Sequence, residues 1–199
     1  MKKQLLCSTL ALILASAHAE NGIYLSIEGG IAAQDGLPTQ GDVGAVDMQT
    51  SYAINAIRAS VGYNHDLFSF FGFGLETGVG QYGKTTYTYG NGLTTEVTAR
   101  TLEFLAVGTF HINKQFDLLT KIGGLRLTPI ASGVNAPGNN AKICTEAALG
   151  VAYNISPHLA ATLTYSHVFG SQLDTIGELS GKAPSVNEGM LGIRYTFGS

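Results

Sequence analysis

With 199 residues, 11 basic against 14 acidic side chains and a formal net charge of −3, the chain is long enough for one domain and lacks the basic excess that nucleic acid would require. No stretch beyond the N-terminus has 18 apolar residues in succession, which excludes a helical membrane protein. Glycine occurs 26 times among frequent β-branched and aromatic residues, and no long segment has helical periodicity, so the chain reads as all-β.

Residues 1–19 have the pattern of a secretory signal: Lys2 and Lys3, an apolar run from Leu10 to Ala15, and Ala17-His18-Ala19 as the cleavage site. Cys7 precedes the apolar run instead of following it, which is the wrong place for lipid attachment. Removing this segment leaves a domain of residues 20–199 with 9 basic and 14 acidic residues, a net charge of −5, and Cys144 as its one cysteine. The fold must therefore hold without an internal disulfide.

Strand one is expected over Gly22 to Ala32, with Ile23, Leu25, Ile27 and Ile31 on one face and Tyr24, Ser26, Glu28 and Gly30 on the other. A Gly- and Asp-containing loop follows, from Ala33 to Ser51. Strand two, Tyr52 to Tyr63, turns Ile57, Ala59, Val61 and Tyr63 outward and Arg58 and Ser60 inward. Strand three, Phe70 to Gly83, sets Phe71, Phe73, Leu75 and Val79 against a file of glycines that contains Glu76. That file is GxGxxxG inside an alternating strand, not GxGxxG at a strand-to-helix turn, so it argues for room in a narrow interior and against phosphate binding. Gly90-Asn91-Gly92 marks a hairpin that continues strands three and four, with Tyr87 and Tyr89 near its tip.

Strand four, Thr98 to Ile112, places Leu102, Phe104, Ala106 and Phe110 outward and Glu103 inward. Strand five, Phe116 to Thr128, starts with Phe116, Leu118 and Ile122 outward and Asp117 and Lys121 inward. A β-bulge at Gly123-Gly124 is expected to return Leu125 and Leu127 to the outer face and Arg126 to the interior. An uncharged connection, Pro129 to Ala141, precedes strand six, Lys142 to Asn154, which has Cys144 and Glu146 inward and Leu149, Val151 and Tyr153 outward. Ser156-Pro157-His158 turns the chain into strand seven, Leu159 to Phe169, and a long polar segment, Gly170 to Pro184, leads to strand eight, Ser185 to Phe197. Strand eight carries Leu191, Ile193, Tyr195 and Phe197 on one face and Glu188 and Arg194 on the other.

Three regularities favour a transmembrane barrel. The connections run long, short, long, short, long, short, long, as in an eight-stranded barrel with short periplasmic turns and long external loops. The strands exceed the globular norm of about 5 to 6 residues and suffice for a tilted crossing of about 9 to 11. Tyr63, Phe71, Phe110, Phe116, Tyr153 and Phe197 all fall at the short-turn ends of the apolar face, where a periplasmic aromatic girdle belongs. The inward set then holds Glu28, Arg58, Glu76, Glu103, Lys121, Glu146, Glu188 and Arg194, whereas the outward set has one charge, Arg100, about 25 Å above Phe110 at the outer interface. A soluble calycin-type barrel would invert those faces.

The lumen of eight strands admits only its own side chains, so these charges are expected to pair as a stabilising plug; a narrow gated polar path is the alternative. No catalytic set emerges: Ser166 and His167 are adjacent and therefore face opposite ways, and Phe169 stands where a lipid A deacylase would have serine. His65, His111 and His158 lie at or beside the three short turns, where turn polarity accounts for them without a metal. Cys144 is read as a small inward side chain. No cofactor is expected.

The alternating Leu191, Ile193, Tyr195 and Phe197 pattern resembles the closing strand that the outer-membrane assembly machinery reads, although Gly198 and Ser199 follow the aromatic. The whole segment 20–199 resembles the small eight-stranded outer-membrane barrels, the group of the OmpA transmembrane domain, OmpX and the opacity-type surface proteins. That resemblance implies bacterial outer-membrane localisation after signal-directed export, and contact with outer-membrane lipid and lipopolysaccharide. It implies a non-enzymatic structural and surface-interaction role, with a host or environmental ligand at the external loops and no nucleic-acid partner. A small porin-like channel for ions or narrow solutes is the alternative. Ending at strand eight, the chain is expected to lack the periplasmic domain of full-length OmpA.

Overall fold

Alternation of apolar and polar residues over long stretches gives each strand one face for lipid and one for the interior, and the chain folds to satisfy both. The computed structural model describes residues 21–35, 49–50, 53–88, 94–133, 140–171 and 182–197. Eight long strands form the wall: β1 Gly22–Asp35, β2 Ala53–Phe68, β3 Phe71–Thr88, β4 Thr94–His111, β5 Phe116–Gly133, β6 Lys142–Asn154, β7 Leu159–Phe169 and β8 Ser185–Phe197. Each pairs antiparallel with its sequence neighbour, and β1 pairs with β8 from Ile23 opposite Phe197 to Asp35 opposite Ser185, which closes the barrel. No helix among the described residues is long and apolar enough to cross a membrane.

Local chemistry fixes the short turns. Asn113 Oδ1 accepts from the amides of Gln115 (2.8 Å) and Phe116 (3.0 Å), turning β4 into β5. Ser156 Oγ accepts from the Leu159 amide at 3.1 Å, and the Ile155 amide bonds Leu159 O at 2.9 Å, turning β6 into β7. At the opposite end β3 and β4 extend further than their apolar periodicity indicates, to Thr88 and from Thr94, with a register shift between Tyr82 and Thr85. Gln49–Thr50 adds a two-residue pairing to this extension, opposite Thr88 and Tyr87. Tyr89, Gly90-Asn91-Gly92 and most of the long connections lie outside the described residues, as do residues 1–20.

The expected bulge in β5 is absent. Pairing between β4 and β5 is continuous from Thr95 opposite Gly133 to His111 opposite Asp117, and β5 runs on through Pro129 to Gly133. Leu125 and Leu127 therefore point inward, 1% and 3% exposed, and Arg126 points outward. The cause is an inner apolar layer toward the external end, where Leu125 and Leu127 pack with Ala32, Ile54, Ala99, Cys144, Val168 and Val186. A polar-in, apolar-out rule fails there because the upper lumen is itself apolar. Gly123 does not break the strand; a Cβ at that position would meet Leu105 Cα at 2.8 Å, so glycine lets β5 lie close beside the fully buried Leu105.

Glycines elsewhere admit large inward side chains. The Tyr24 ring lies over Gly62, and a Cβ at Gly192 would meet Glu28 Cγ at 2.6 Å and Thr162 Oγ1 at 2.9 Å. Gly192→Val should displace Glu28 and cost about 1–3 kcal/mol through overpacking. Denaturant titration of the folded, slow-heating electrophoretic form in detergent should show the loss, while a lipid-facing Ile193→Val should be nearly neutral.

Candidate functional site

Inward side chains stack in layers. In the upper charged layer the Arg58 guanidinium of β2 meets four carboxylates: Glu103 of β4 at 2.9 Å, Glu146 of β6 at 3.0 Å, Glu188 of β8 at 3.1 Å and Glu28 of β1 at 3.9 Å. All five side chains are 2% exposed or less. Neighbouring hydroxyls complete the layer: Tyr82 donates to Glu188, Thr101 to Glu103 at 2.7 Å, and Thr164 to Glu28 at 3.1 Å. One guanidinium thus forms ion pairs across the lumen with three strands that are not neighbours of its own, hydrogen-bonding Glu146 and Glu188.

Below it, Lys121 Nζ of β5 bonds both oxygens of Glu76 of β3, at 2.8 and 3.1 Å, and Tyr24 Oη of β1 donates to Glu76 at 2.8 Å. Arg194 makes no ion pair within 4 Å among the described residues; its guanidinium lies over the Tyr24 ring, 4.5 Å from the centroid, which sets it beside the lower group. The eight lumen charges anticipated in sequence are accordingly divided between two clusters, with five carboxylates against three bases. Alternation could have indicated the acceptors but not the hydroxyl donors, because Tyr24, Tyr82 and Thr164 are polar at one atom only.

At the periplasmic mouth, past the Phe110 girdle position, a hydrogen-bonded belt joins strand ends. Asn21 Oδ1 accepts from the Asp66 amide (2.7 Å), His111 bonds Asp66 (3.2 Å) and Asp117 (2.9 Å), and Asn154 donates to Asp117 (2.8 Å). A cavity of about 60 Å³ opens beside it, lined by Tyr24, Asn64, Thr109, His111, Asp117 and Arg194 among others. The hydrogen bond to Asp117, followed by that to Asp66, raises the His111 pKa to about 9 against the desolvation that opposes it.

The three turn histidines do not meet. His65 faces outward, His158 Nδ1 contacts Thr196 O at 3.1 Å, and His111 is held by its two aspartates. Ser166 is buried inside while His167 sits on the outer side against Asn187 (2.8 Å), with Asn187 also bonded to Asp35 and Tyr165. Cys144 belongs to the inner apolar layer. On the outside, Phe71 packs at a tilt on Phe110 (4.8 Å between centroids), Phe116 likewise on Tyr153 (5.1 Å) and Tyr195 edge-on to Phe197 (4.8 Å), and Tyr63 is half exposed at the same end. Leu191 and Ile193 continue the lipid face of β8.

Arg58→Met should destabilise the barrel by about 3–5 kcal/mol, because it leaves buried carboxylates without their cation. Adding Glu103→Gln and Glu146→Gln to that variant should restore part of the loss in the same denaturant titration. His111 provides a second check. Since its folded pKa lies above the unfolded value, its stabilising charge is fully present below about pH 6.5 and lost as pH rises through about 9. Stability should fall across that window, and His111→Asn should remove this component of the slope.

The comparisons agree with this architecture. The model of the OmpA-like transmembrane domain matches residues 16–199. Among solved structures, Ail, the attachment invasion locus protein of Yersinia pestis, has a TM-score of 0.54 at 15% identity, covering 90% of this chain and 99% of Ail. Neisserial surface protein A has a TM-score of 0.54 at 13% identity, covering 88% of this chain and 97% of its own. OprG of Pseudomonas aeruginosa has 0.51 at 13% identity, covering 92% of this chain and 99% of its own. No curated protein matches the sequence. Eight antiparallel strands closed into a barrel and a family match over nearly the whole length make this chain a member of the OmpA-like transmembrane domain family, the small barrels of the bacterial outer membrane.

Proposed function

We propose that the chain is a non-enzymatic outer-membrane barrel in which residues 1–19 direct export and residues 20–199 form a wall held together by a filled lumen, while the external loops meet molecules outside the cell. The observation that carries this reading is the Arg58 cluster, four buried carboxylates from four strands, each within 3.9 Å of the one buried guanidinium in the interior. The inner apolar layer of Leu125, Leu127, Val168 and Val186 supports it by occupying the lumen between the cluster and the external end. Closing strand β8, with Leu191, Ile193, Tyr195 and Phe197 outward, is the segment the assembly machinery would recognise. Ser166 and His167 lie on opposite faces, so this adjacent pair is not placed to act as nucleophile and base.

External ligands fall to the segments between strands, which carry Asp42, Asp47, Asp174 and Glu178 and no lysine or arginine over 36–48, 89–93, 134–139 and 172–181. Their chemistry suits a neutral or cationic partner better than a polyanion.

One observation favours a channel as the second reading: five lumen carboxylates against Arg58, Lys121 and Arg194 would select cations if water crossed the interior. Planar-bilayer recording separates the two. A silent wild type, with Glu76→Gln equally silent, is the expected result; steady cation-selective current that changes in Glu76→Gln or Arg58→Gln would replace the plug with a path.

A further inference from the structure

The unbroken register of β5 puts a second arginine on the lipid face. Arg126 is exposed there, and Arg100 of β4 is exposed beside it, since Leu102 pairs with Arg126 and Arg100 pairs with Thr128. The two are diagonal neighbours, with Cα atoms about 7–8 Å apart in standard antiparallel geometry. Neither has an ion pair or hydrogen bond among the described residues. Glu96, the carboxylate above them on the same face of β4, is already bonded to Lys84 at 2.9 Å.

Depth decides what such a pair can meet. Arg100 is ten residues above Phe110 and Arg126 ten above Phe116, and both aromatics belong to the periplasmic girdle. Ten tilted strand residues rise about 25 Å, the height of the apolar band, so both guanidiniums lie at the outer-leaflet boundary. Arginine there costs little, about 0–1 kcal/mol, against about 2–4 at the midplane. Two like charges this close still repel, and a phosphate monoester relieves the repulsion with about −1.5 to −2 of charge and acceptors matched to the guanidinium fork.

The surroundings fit one occupant. Gln81 flanks Arg100 on β3 and Thr128 flanks it on β5, while Leu102, Phe104 and Ile122 below form an exposed apolar wall for acyl chains. Across the barrel the outward cluster on the β8 side is Asp35, Asn187 and His167. We propose that Arg100 and Arg126 form a docking site for the phosphate groups of an anionic glycolipid of the outer leaflet, its acyl chains lying on β4 and β5. This rests on the membrane orientation argued above.

The test refolds full-length mature protein into phosphatidylcholine vesicles, alone or with diphosphorylated lipid A or the same lipid A stripped of phosphate, and measures the temperature at which the folded electrophoretic band is lost. Diphosphorylated lipid A should raise the wild-type midpoint by a few degrees over the stripped lipid. The Arg100→Gln, Arg126→Gln double variant should lose that rise while melting like wild type in phosphatidylcholine, and His167→Gln, on the far wall, should keep it. The inference is overturned if the double variant keeps the rise, if wild type shows none, if His167→Gln loses it, or if free inorganic phosphate reproduces it. Failure of wild type to give a folded band in any vesicle is a different result: it would overturn the barrel reading and this site with it.

Discussion

Lipid offers no hydrogen-bond partner to a peptide group, so every backbone amide and carbonyl in the spanning region has to be satisfied by the sheet itself. Closure of β1 on β8 meets that requirement and at the same time creates a second one. An eight-stranded barrel encloses a space just wide enough for side chains, and whatever points inward is removed from both lipid and bulk water. The interior is thus a packing problem in which polar groups must find one another. Glycine at 62 and 192 solves the steric part, by giving the Tyr24 ring and the Glu28 side chain somewhere to lie. Arg58 solves the electrostatic part, with one fork-shaped cation presenting donors in several directions at once.

The arrangement has an order along the barrel axis. Polar belts at the periplasmic mouth give way to Lys121 with Glu76, then to Arg58 with its carboxylates, and then to leucine, valine and alanine near the external end. Each buried charge is costly alone, and the cost is offset only because hydroxyls of Tyr24, Tyr82, Thr101 and Thr164 supply further hydrogen bonds to the same carboxylates. Apart from the bond between Thr101 and Glu103 on one strand, these contacts join residues far apart in sequence, up to 136 positions between Thr164 and Glu28, and so fasten strands that share no backbone pairing. In the proposed reading, the contacts that hold the wall are also the ones that fill the lumen.

Much of the wall could be read from residues alone. Strands β6, β7 and β8 begin and end where alternation and the Ser156-Pro157-His158 turn indicate, at Lys142–Asn154, Leu159–Phe169 and Ser185–Phe197. β3 and β4 run on to Thr88 and from Thr94 because threonine and tyrosine extend a ladder outside the lipid as well as inside it, and polarity no longer marks the boundary there. The phase of β5 was misleading for a different reason. Leu125 and Leu127 after two glycines look like lipid-facing residues when the lumen is assumed polar throughout, and one sequence cannot show that its upper third is apolar. Nor can it show that Arg58 takes four carboxylates while Arg194 lies over the Tyr24 ring, since closure of the sheet decides which inward residues converge.

Arginine has three physical situations in this barrel, and they differ in what surrounds the same group. Arg58 is enclosed by carboxylates and holds the wall from within. Arg194, half-buried near the mouth, rests on an aromatic face beside a small polar cavity. Arg100 and Arg126 look outward at the height where hydrocarbon ends, with no ion pair or hydrogen bond among the described residues. The outward pair adds nothing to closure or to filling, and an uncharged side chain would suit the lipid face better. A pair of charges at that level is therefore a feature directed at the membrane, in the same sense that Arg58 is directed at the barrel: each is placed where an anion can complete it, and only the source of the anion differs.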